Sequence, residues 1–332
     1  MASKLDEIRK KLAELDSKRT GNNSNNDKVL FPHWNMPDGS SSTIRFLEDG
    51  SPENTFFWVE KKIIKLKFPG ICGQDSTGKE VEVQVPCVEM YNDGSQCPIL
   101  TEIRPMWKDK ALEDTARKYW KKSTYLFQGF VKQNSVPDDV APENPIRKFI
   151  IGPQLFPLIK AALMDPDLDS LPTDYVKGLD FIIAKTSKGG YADYNTSKWG
   201  RKESALTAEQ IAAVDQFGLY KLDSFLPKKP NAEQMTAIFE MFEASISGEY
   251  YDPEKWSKFY KPYGFESAPT NTSNVTDADV AAAEEQFENA RPVVSSAKVS
   301  DHTNEDSVVE TKVTGGTKSP KEILELLRNR KS

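Results

Sequence analysis

Between Arg117 and Val131 the chain reads Arg-Lys-Tyr-Trp-Lys-Lys-Ser-Thr-Tyr-Leu-Phe-Gln-Gly-Phe-Val, cations interleaved with large rings. Lysine and arginine neutralise phosphates and release condensed counterions, and aromatic side chains offer flat faces on which unpaired bases of any identity stack. Lys118, Tyr119, Trp120, Lys121, Lys122 and Tyr125 are the candidates in this stretch. The plain alternative is a strand whose rings face a core and whose lysines form a solvated face. Local charge favours the first reading. From Arg104 to Lys132 eight basic residues stand against three acidic ones, a surplus of +5 in a chain of net charge −6. A second cluster surrounds Gly189-Gly190, with Lys185, Lys188, Tyr191, Tyr194, Lys198, Trp199 and Arg201. It is either another wall of a nucleic-acid groove or a hairpin whose rings cover its own base.

Other chemistries find less support. Cys87 and Cys97 flank a nine-residue stretch with the turn-forming Asn92-Asp93-Gly94, and Cys72 precedes them. Three thiolates are soft ligands for zinc, which takes a fourth, and no histidine lies nearby; the alternative is buried, inert thiols. Gly73-Gln74-Asp75-Ser76-Thr77-Gly78-Lys79 has phosphate-loop spacing, but Glu80 follows where a hydroxyl should bind magnesium, so a hairpin turn explains the glycines better. His33 and His302 are the only histidines, which leaves no triad and no histidine-rich metal centre, and the expectation is a protein without enzymatic activity.

The elements that must carry these residues follow from periodicity. Strands are predicted at 43–47, 55–65, 80–85, 125–132, 148–151 and 179–186, the third from the strict alternation Glu-Val-Glu-Val-Gln-Val. Helical patterns fall at 99–120, 154–164, 207–214 and 232–247. Short strands with inserted and flanking helices predict an α+β core over residues 28–265, built as a Greek-key β-barrel like the OB-fold. Before it, Leu5, Ile8, Leu12 and Leu15 make an amphipathic arm within residues 1–27, joined by a polar asparagine-rich spacer. After it, residues 266–318 read as a disordered acidic linker, and 319–332 as a capped, partner-docking helix opening on Ser319-Pro320 with Glu322 completing a capping box.

Charge is partitioned along this plan. Residues 266–310 carry −8 and the last 22 residues +4, which leaves −2 on residues 1–265, so a nearly neutral body can hold a basic face beside an acidic tail. No apolar run is long enough for a membrane span, and Met1–Leu15 lacks a signal peptide's apolar centre, so a cytoplasmic location is expected.

Several segments in order carry a resemblance: Thr43-Ile44-Arg45-Phe46-Leu47, Cys87 to Cys97-Pro98, Lys121-Lys122-Ser123-Thr124-Tyr125, Ala141-Pro142-Glu143-Asn144 before Lys148-Phe149, and Tyr191-Ala192-Asp193-Tyr194-Asn195. Over roughly residues 28–200 the chain resembles the single-stranded-DNA-binding, helix-destabilising protein of T-even-type bacteriophages and their marine relatives. The resemblance implies an OB-fold core that binds single-stranded DNA cooperatively and without strong sequence preference, in phage replication, recombination and repair. By position it gives base stacking to Tyr125, Tyr191 and Tyr194, with Tyr119 and Trp120 as candidates, and phosphate contacts to Arg45, Lys121 and Lys122. Lys148, within a matched segment, and Lys198, in the second basic cluster, complete the nucleic-acid set. The family's arm motif, which contacts neighbouring protomers along DNA, is matched by Lys18-Arg19-Thr20. The C-terminal region would recruit replication and recombination proteins in the cytoplasm of an infected bacterium, with no membrane partner.

Two departures bear on metal and tail. Leu100 stands where zinc-binding relatives carry a third cysteine, so a zinc site would need Cys72 with Cys87 and Cys97. The chain also finishes Leu327-Arg328-Asn329-Arg330-Lys331-Ser332 where relatives end acidic. The rival readings are a phage scaffold or host-takeover adaptor that does not bind DNA and, with less support, a metal-dependent nuclease.

Overall fold

A computed structural model describes residues 28–73, 80–137, 139–168 and 170–262. The arm with Lys18, Arg19 and Thr20, the glycine turn from Gln74 to Lys79, the acidic linker and the terminal helix lie outside the described residues. The strands are β1 (Ser41–Phe46), β2 (Trp58–Phe68), β3 (Val81–Pro86), β4 (Lys122–Gln133), β5 (Ile146–Ile151), β6 (Leu179–Ala184), β7 (Thr186–Lys188), β8 (Tyr191–Asp193) and β9 (Lys198–Glu203). The α-helices are α1 (Pro98–Ile103), α2 (Glu113–Lys118), α3 (Phe156–Leu163), α4 (Ala208–Phe217), α5 (Ala232–Ser247) and α6 (Pro253–Trp256). None is long and apolar enough to cross a membrane among the described residues.

These elements form a mixed α+β architecture with a mostly antiparallel sheet. Where the sequence suggests one body over 28–265, the described chain divides into two compact units: residues 28–57 with 127–225, and residues 58–126 with 226–262. Strand β4 belongs to the second unit up to Leu126 and to the first from Phe127 onward. In the first unit the strands run β4-β1-β6-β9 with β5 also on β4, and in the second β3-β2-β4. The expected closed barrel is not formed. The strand path is open, ending on β3 and on β9, because each terminal strand has one neighbour only.

The second unit illustrates why these residues fold locally as they do. β3 alternates, turns Val83 and Val85 inward and pairs with β2 in the register Ile64↔Val85 to Phe68↔Val81. Asn231 caps α5 by accepting from the Gln234 amide while the Gln234 side chain returns to the Asn231 amide, and Gly248 ends the helix in the left-handed region at φ 73°. Between these caps Ala237, Ile238, Met241, Phe242 and Ser245 recur at helical spacing, and the apolar members join Ile64, Leu66, Phe68, Val83 and Val85 in one core.

The first unit is centred on rings. Phe46 meets Phe127 at 4.6 Å, Trp199 at 5.8 Å and Phe149 and Phe181 at 5.9 Å between centroids, and each of these strand-borne rings removes a large apolar area from water. Next to Phe46 on β1, Arg45 is fully buried. Its Nε donates to Asp180 Oδ1 at 2.8 Å, and Nη2 donates to the carbonyls of Ser204 at 2.7 Å and Gly178 at 3.2 Å, with the Ser204 hydroxyl also in contact. Arg45 therefore ties β1 to the loop before β6 and to the end of β9; it is not a phosphate contact. Its carbonyl side is equally tight, since a Cβ on Gly129 would stand 1.9 Å from Arg45 O, which reserves that β4 position for glycine.

His33 is buried edge-on to Trp34 at 5.3 Å and to Tyr194 at 5.8 Å. Burial lowers its imidazole from the ordinary value to about 3, with the Phe31 backbone hydrogen bond opposing and the charge of Lys185 assisting.

Two outcomes are expected. Arg45→Met takes one of two cations from Asp180 and the guanidinium donor from the Ser204 and Gly178 carbonyls, and should lower unfolding free energy in urea by about 3 kcal/mol. The native state keeps His33 neutral down to about pH 3, whereas the unfolded chain protonates it near 6.5, so in that window the unfolded state binds the extra proton. Stability should therefore fall as pH drops from about 6.5, by up to ~1.4 kcal/mol per pH unit from this group, and denaturation of His33→Gln should show a shallower acid slope.

Candidate nucleic-acid interface

The basic segment of the second unit begins at α1, whose first position is Pro98, and passes directly into a 3-10 turn over Arg104–Lys108 with Pro105 inside it. A 3-10 helix has three residues per turn, so residues three apart eclipse: Arg104 and Trp107 share one exposed face while Met106 is buried. In α2, Glu113 and Asp114 occupy the first turn and Arg117 and Lys118 the last, which complements the helix dipole, and Arg117 bonds Glu113 at 2.7 Å one turn away. Both Arg117 and Lys118 are exposed.

The chain then turns inward at Tyr119. Its ring meets Phe242 edge-on at 5.3 Å and its hydroxyl donates to Ser245 Oγ at 3.0 Å, which itself donates to the Lys67 carbonyl at 2.7 Å. Burial pushes the phenol up to about 12. Tyr119 is thus a core residue with a satisfied hydroxyl, which corrects its expected stacking role. Trp120 is half-buried, packs in part on the same core, and meets Trp107 edge-to-face at 5.5 Å and 87°. Trp107 is 40 % exposed. Lys121 Nζ lies 6.0 Å from the Trp120 ring and bonds Glu89 Oε2 at 3.0 Å, and Arg104 reaches Oε1 of the same carboxylate. Lys122 and Tyr125 are half-buried on β4, and burial, then the charge and hydrogen bond of Glu60, push the Tyr125 phenol up to about 12.

In the first unit the glycine pair makes a two-residue hairpin between β7 and β8, with Lys188 paired to Tyr191 and Gly189 and Gly190 at φ 63° and 84°. Positive φ at both central positions is the geometry that glycine supplies without strain. Tyr191 stands 51 % exposed beside exposed Lys188, and β9 presents Lys198, Arg201 and Lys202 to solvent. Tyr194 is buried against His33, and burial raises its phenol above the ordinary range. Lys148 on β5 is also buried, its Nζ 3.8 Å from the Phe225 ring centroid and 5.6 Å from that of Tyr220. Neither Tyr194 nor Lys148 offers a free surface to a nucleic acid, so both expectations are corrected. Lys185 is tied down as well, donating to the Trp34 carbonyl at 2.7 Å.

Of the three thiols, Cys87 and Cys97 are buried and hydrogen-bonded to each other, while Cys72 is exposed. Donation to Cys97 together with burial raises Cys87, and acceptance of that bond, helped by the amides of Leu100 and Ile99, lowers Cys97. Among the described residues no three histidine, cysteine, aspartate or glutamate side chains are grouped to hold a metal ion. Cys72 is not grouped with Cys87 and Cys97 among the described residues.

The sequence-derived set thus separates. Arg45, Tyr119, Lys148 and Tyr194 are internal; Lys118, Trp120, Lys121, Lys122 and Tyr125 gather on one unit, and Tyr191 and Lys198 on the other. Sequence reasoning missed Trp107 and Glu89, which lie 13 and 31 residues from Trp120, and their only signals were a proline-broken helical pattern around Trp107 and an acidic residue beside a basic stretch. No family model and no curated protein matches the chain.

Titration of the native full chain with a disulfide-exchange reagent should register about one fast thiol, Cys72, because thiolate access governs the rate; all three cysteines should react after denaturation.

Proposed function

We propose that the chain is a non-enzymatic protein that binds single-stranded DNA without strong sequence preference. The observation that carries this reading is the Trp107–Trp120 ring pair, partly open to solvent, with Arg104, Lys118 and Lys121 in the same basic segment. Rings of this kind stack on bases of any identity, and the cations meet the phosphates that flank them. The exposed Tyr191 beside Lys188 is a second ring-and-cation surface of the same chemistry.

The resemblance to the T-even phage helix-destabilising proteins extends the proposal. The antiparallel sheet is then an OB-like core in open form, Lys18-Arg19-Thr20 belongs to an arm that links protomers along DNA, and the C-terminal region recruits replication, recombination and repair proteins within an infected bacterium. Duplex DNA, whose bases are already stacked, competes poorly.

Tryptophan fluorescence of the full chain titrated with oligo-dT should be quenched, and log affinity against log salt should fall with a slope of about −2 to −3 for three or four phosphates at roughly −0.7 each. Trp107→Ala and Trp120→Ala should each weaken binding by about 1–3 kcal/mol, roughly five- to 150-fold. Unquenched fluorescence at low salt would leave the interaction-protein reading in possession, and magnesium-dependent turnover of the oligonucleotide would establish a nuclease instead.

A further inference from the structure

Glu89 lies on a 3-10 turn, Val88–Tyr91, directly after Cys87, and both of its carboxylate oxygens are engaged. Oε2 accepts from Lys121 Nζ at 3.0 Å and Oε1 accepts from the Arg104 guanidinium. Burial alone would raise this carboxyl; the hydrogen bonds from Lys121 and Arg104 outweigh it and hold the group below its ordinary range, so it is ionised at neutral pH. The two cations it engages are the ones that bracket the ring pair. Arg104 eclipses Trp107 on its 3-10 turn, and Lys121 follows Trp120 and lies over its ring.

A carboxylate bridging an arginine and a lysine beside two rings presents the charge and the acceptor geometry of a phosphate. The arginine is the more open partner, 47 % exposed at its side chain against 23 % for the lysine and 16 % for the glutamate. The cations are thus held in place yet can be approached from solvent.

We infer that Glu89 is an internal phosphate surrogate that occupies Arg104 and Lys121 in the free protein and must yield them to a phosphate of the bound strand. This rests on the proposed single-strand-binding role and names the residue that limits it. To take both cations a phosphate must displace Glu89, so that contact adds little net affinity while Glu89 is present, and the phosphate there keeps most of its condensed counterion. Remove its charge, and the two cations neutralise that phosphate, which sheds its condensed counterion.

The experiment is a salt series of oligo-dT titrations on the full chain, wild type against Glu89→Gln, with Glu209→Gln as a control that removes one exposed carboxylate from α4 of the other unit. Glu89→Gln should bind about tenfold more tightly at low salt with a slope steeper by up to about 0.7, one more phosphate neutralised, and Glu209→Gln should leave the slope as it was. If Glu89→Gln does not fold, Glu89→Ser removes the same charge with a smaller side chain and gives the same readout. Wild-type affinity and slope in a folded Glu89 variant, weaker binding by it, or an equal gain in Glu209→Gln would each overturn the inference while leaving single-strand binding standing. Absence of oligo-dT binding by the wild type at any salt would defeat both.

Discussion

A buried guanidinium organises the first unit. A guanidinium carries five donors in a fixed plane, so every donor Arg45 points inward must find an acceptor, and the fold supplies Asp180, Ser204 and Gly178 from segments more than 130 residues away in sequence. That demand fixes what the neighbours can be. A Cβ on Gly178 would stand 2.3 Å from the Asp174 carbonyl and 2.7 Å from Arg45 Nη1, so the loop before β6 passes the arginine only as bare backbone. Lys132 on β4 shares Asp180 at 2.9 Å, so the carboxylate balances two cations and joins β1, β4 and β6 at one point. The ring cluster about Phe46 packs at the next residue of β1.

The same residue marks where sequence reasoning stops. Periodicity located β3 and α5, because alternation and helical spacing are written in consecutive residues, and the predicted 232–247 helix and the observed α5 coincide; the short β8, β9 and α6 carried no such pattern. Whether a polar group is inside depends instead on partners that folding brings from afar. Tyr119 and Ser245 are 126 residues apart, and Lys148 is covered by Tyr220 and Phe225, so nothing local distinguishes these residues from surface lysines and tyrosines. Arg45, Tyr119, Lys148 and Tyr194 have the types suited to binding nucleic acid, and each spends its polar atom or its ring on the core instead. Trp107 went unseen for the opposite reason: its exposure follows from a 3-10 turn that a proline-interrupted helical pattern does not reveal.

The basic segment shows how one short stretch serves packing and surface in turn. Ala116 and Tyr119 face the core of the second unit, and Arg117, Lys118, Trp120 and Lys121 take the positions between and after them. Alternation of this kind gives the cations a rigid base, since Tyr119 is pinned at both ring and hydroxyl. Glu89 then decides how much of the surplus positive charge is on offer, because the surplus counted along the sequence includes two cations already engaged in space.

Among the described residues β9 ends its run of strands with no further strand paired to it, and Lys198, Arg201 and Lys202 are exposed on it. An unpaired strand is a template for another chain, and a row of like charges repels the copy that would pair with it. Exchanging these three residues for alanine in order to map a binding surface would at the same time remove the guard on that edge. A loss of binding in such a variant would then have to be separated from self-association, whereas charge reversal to glutamate would keep the edge protected while abolishing attraction to phosphate.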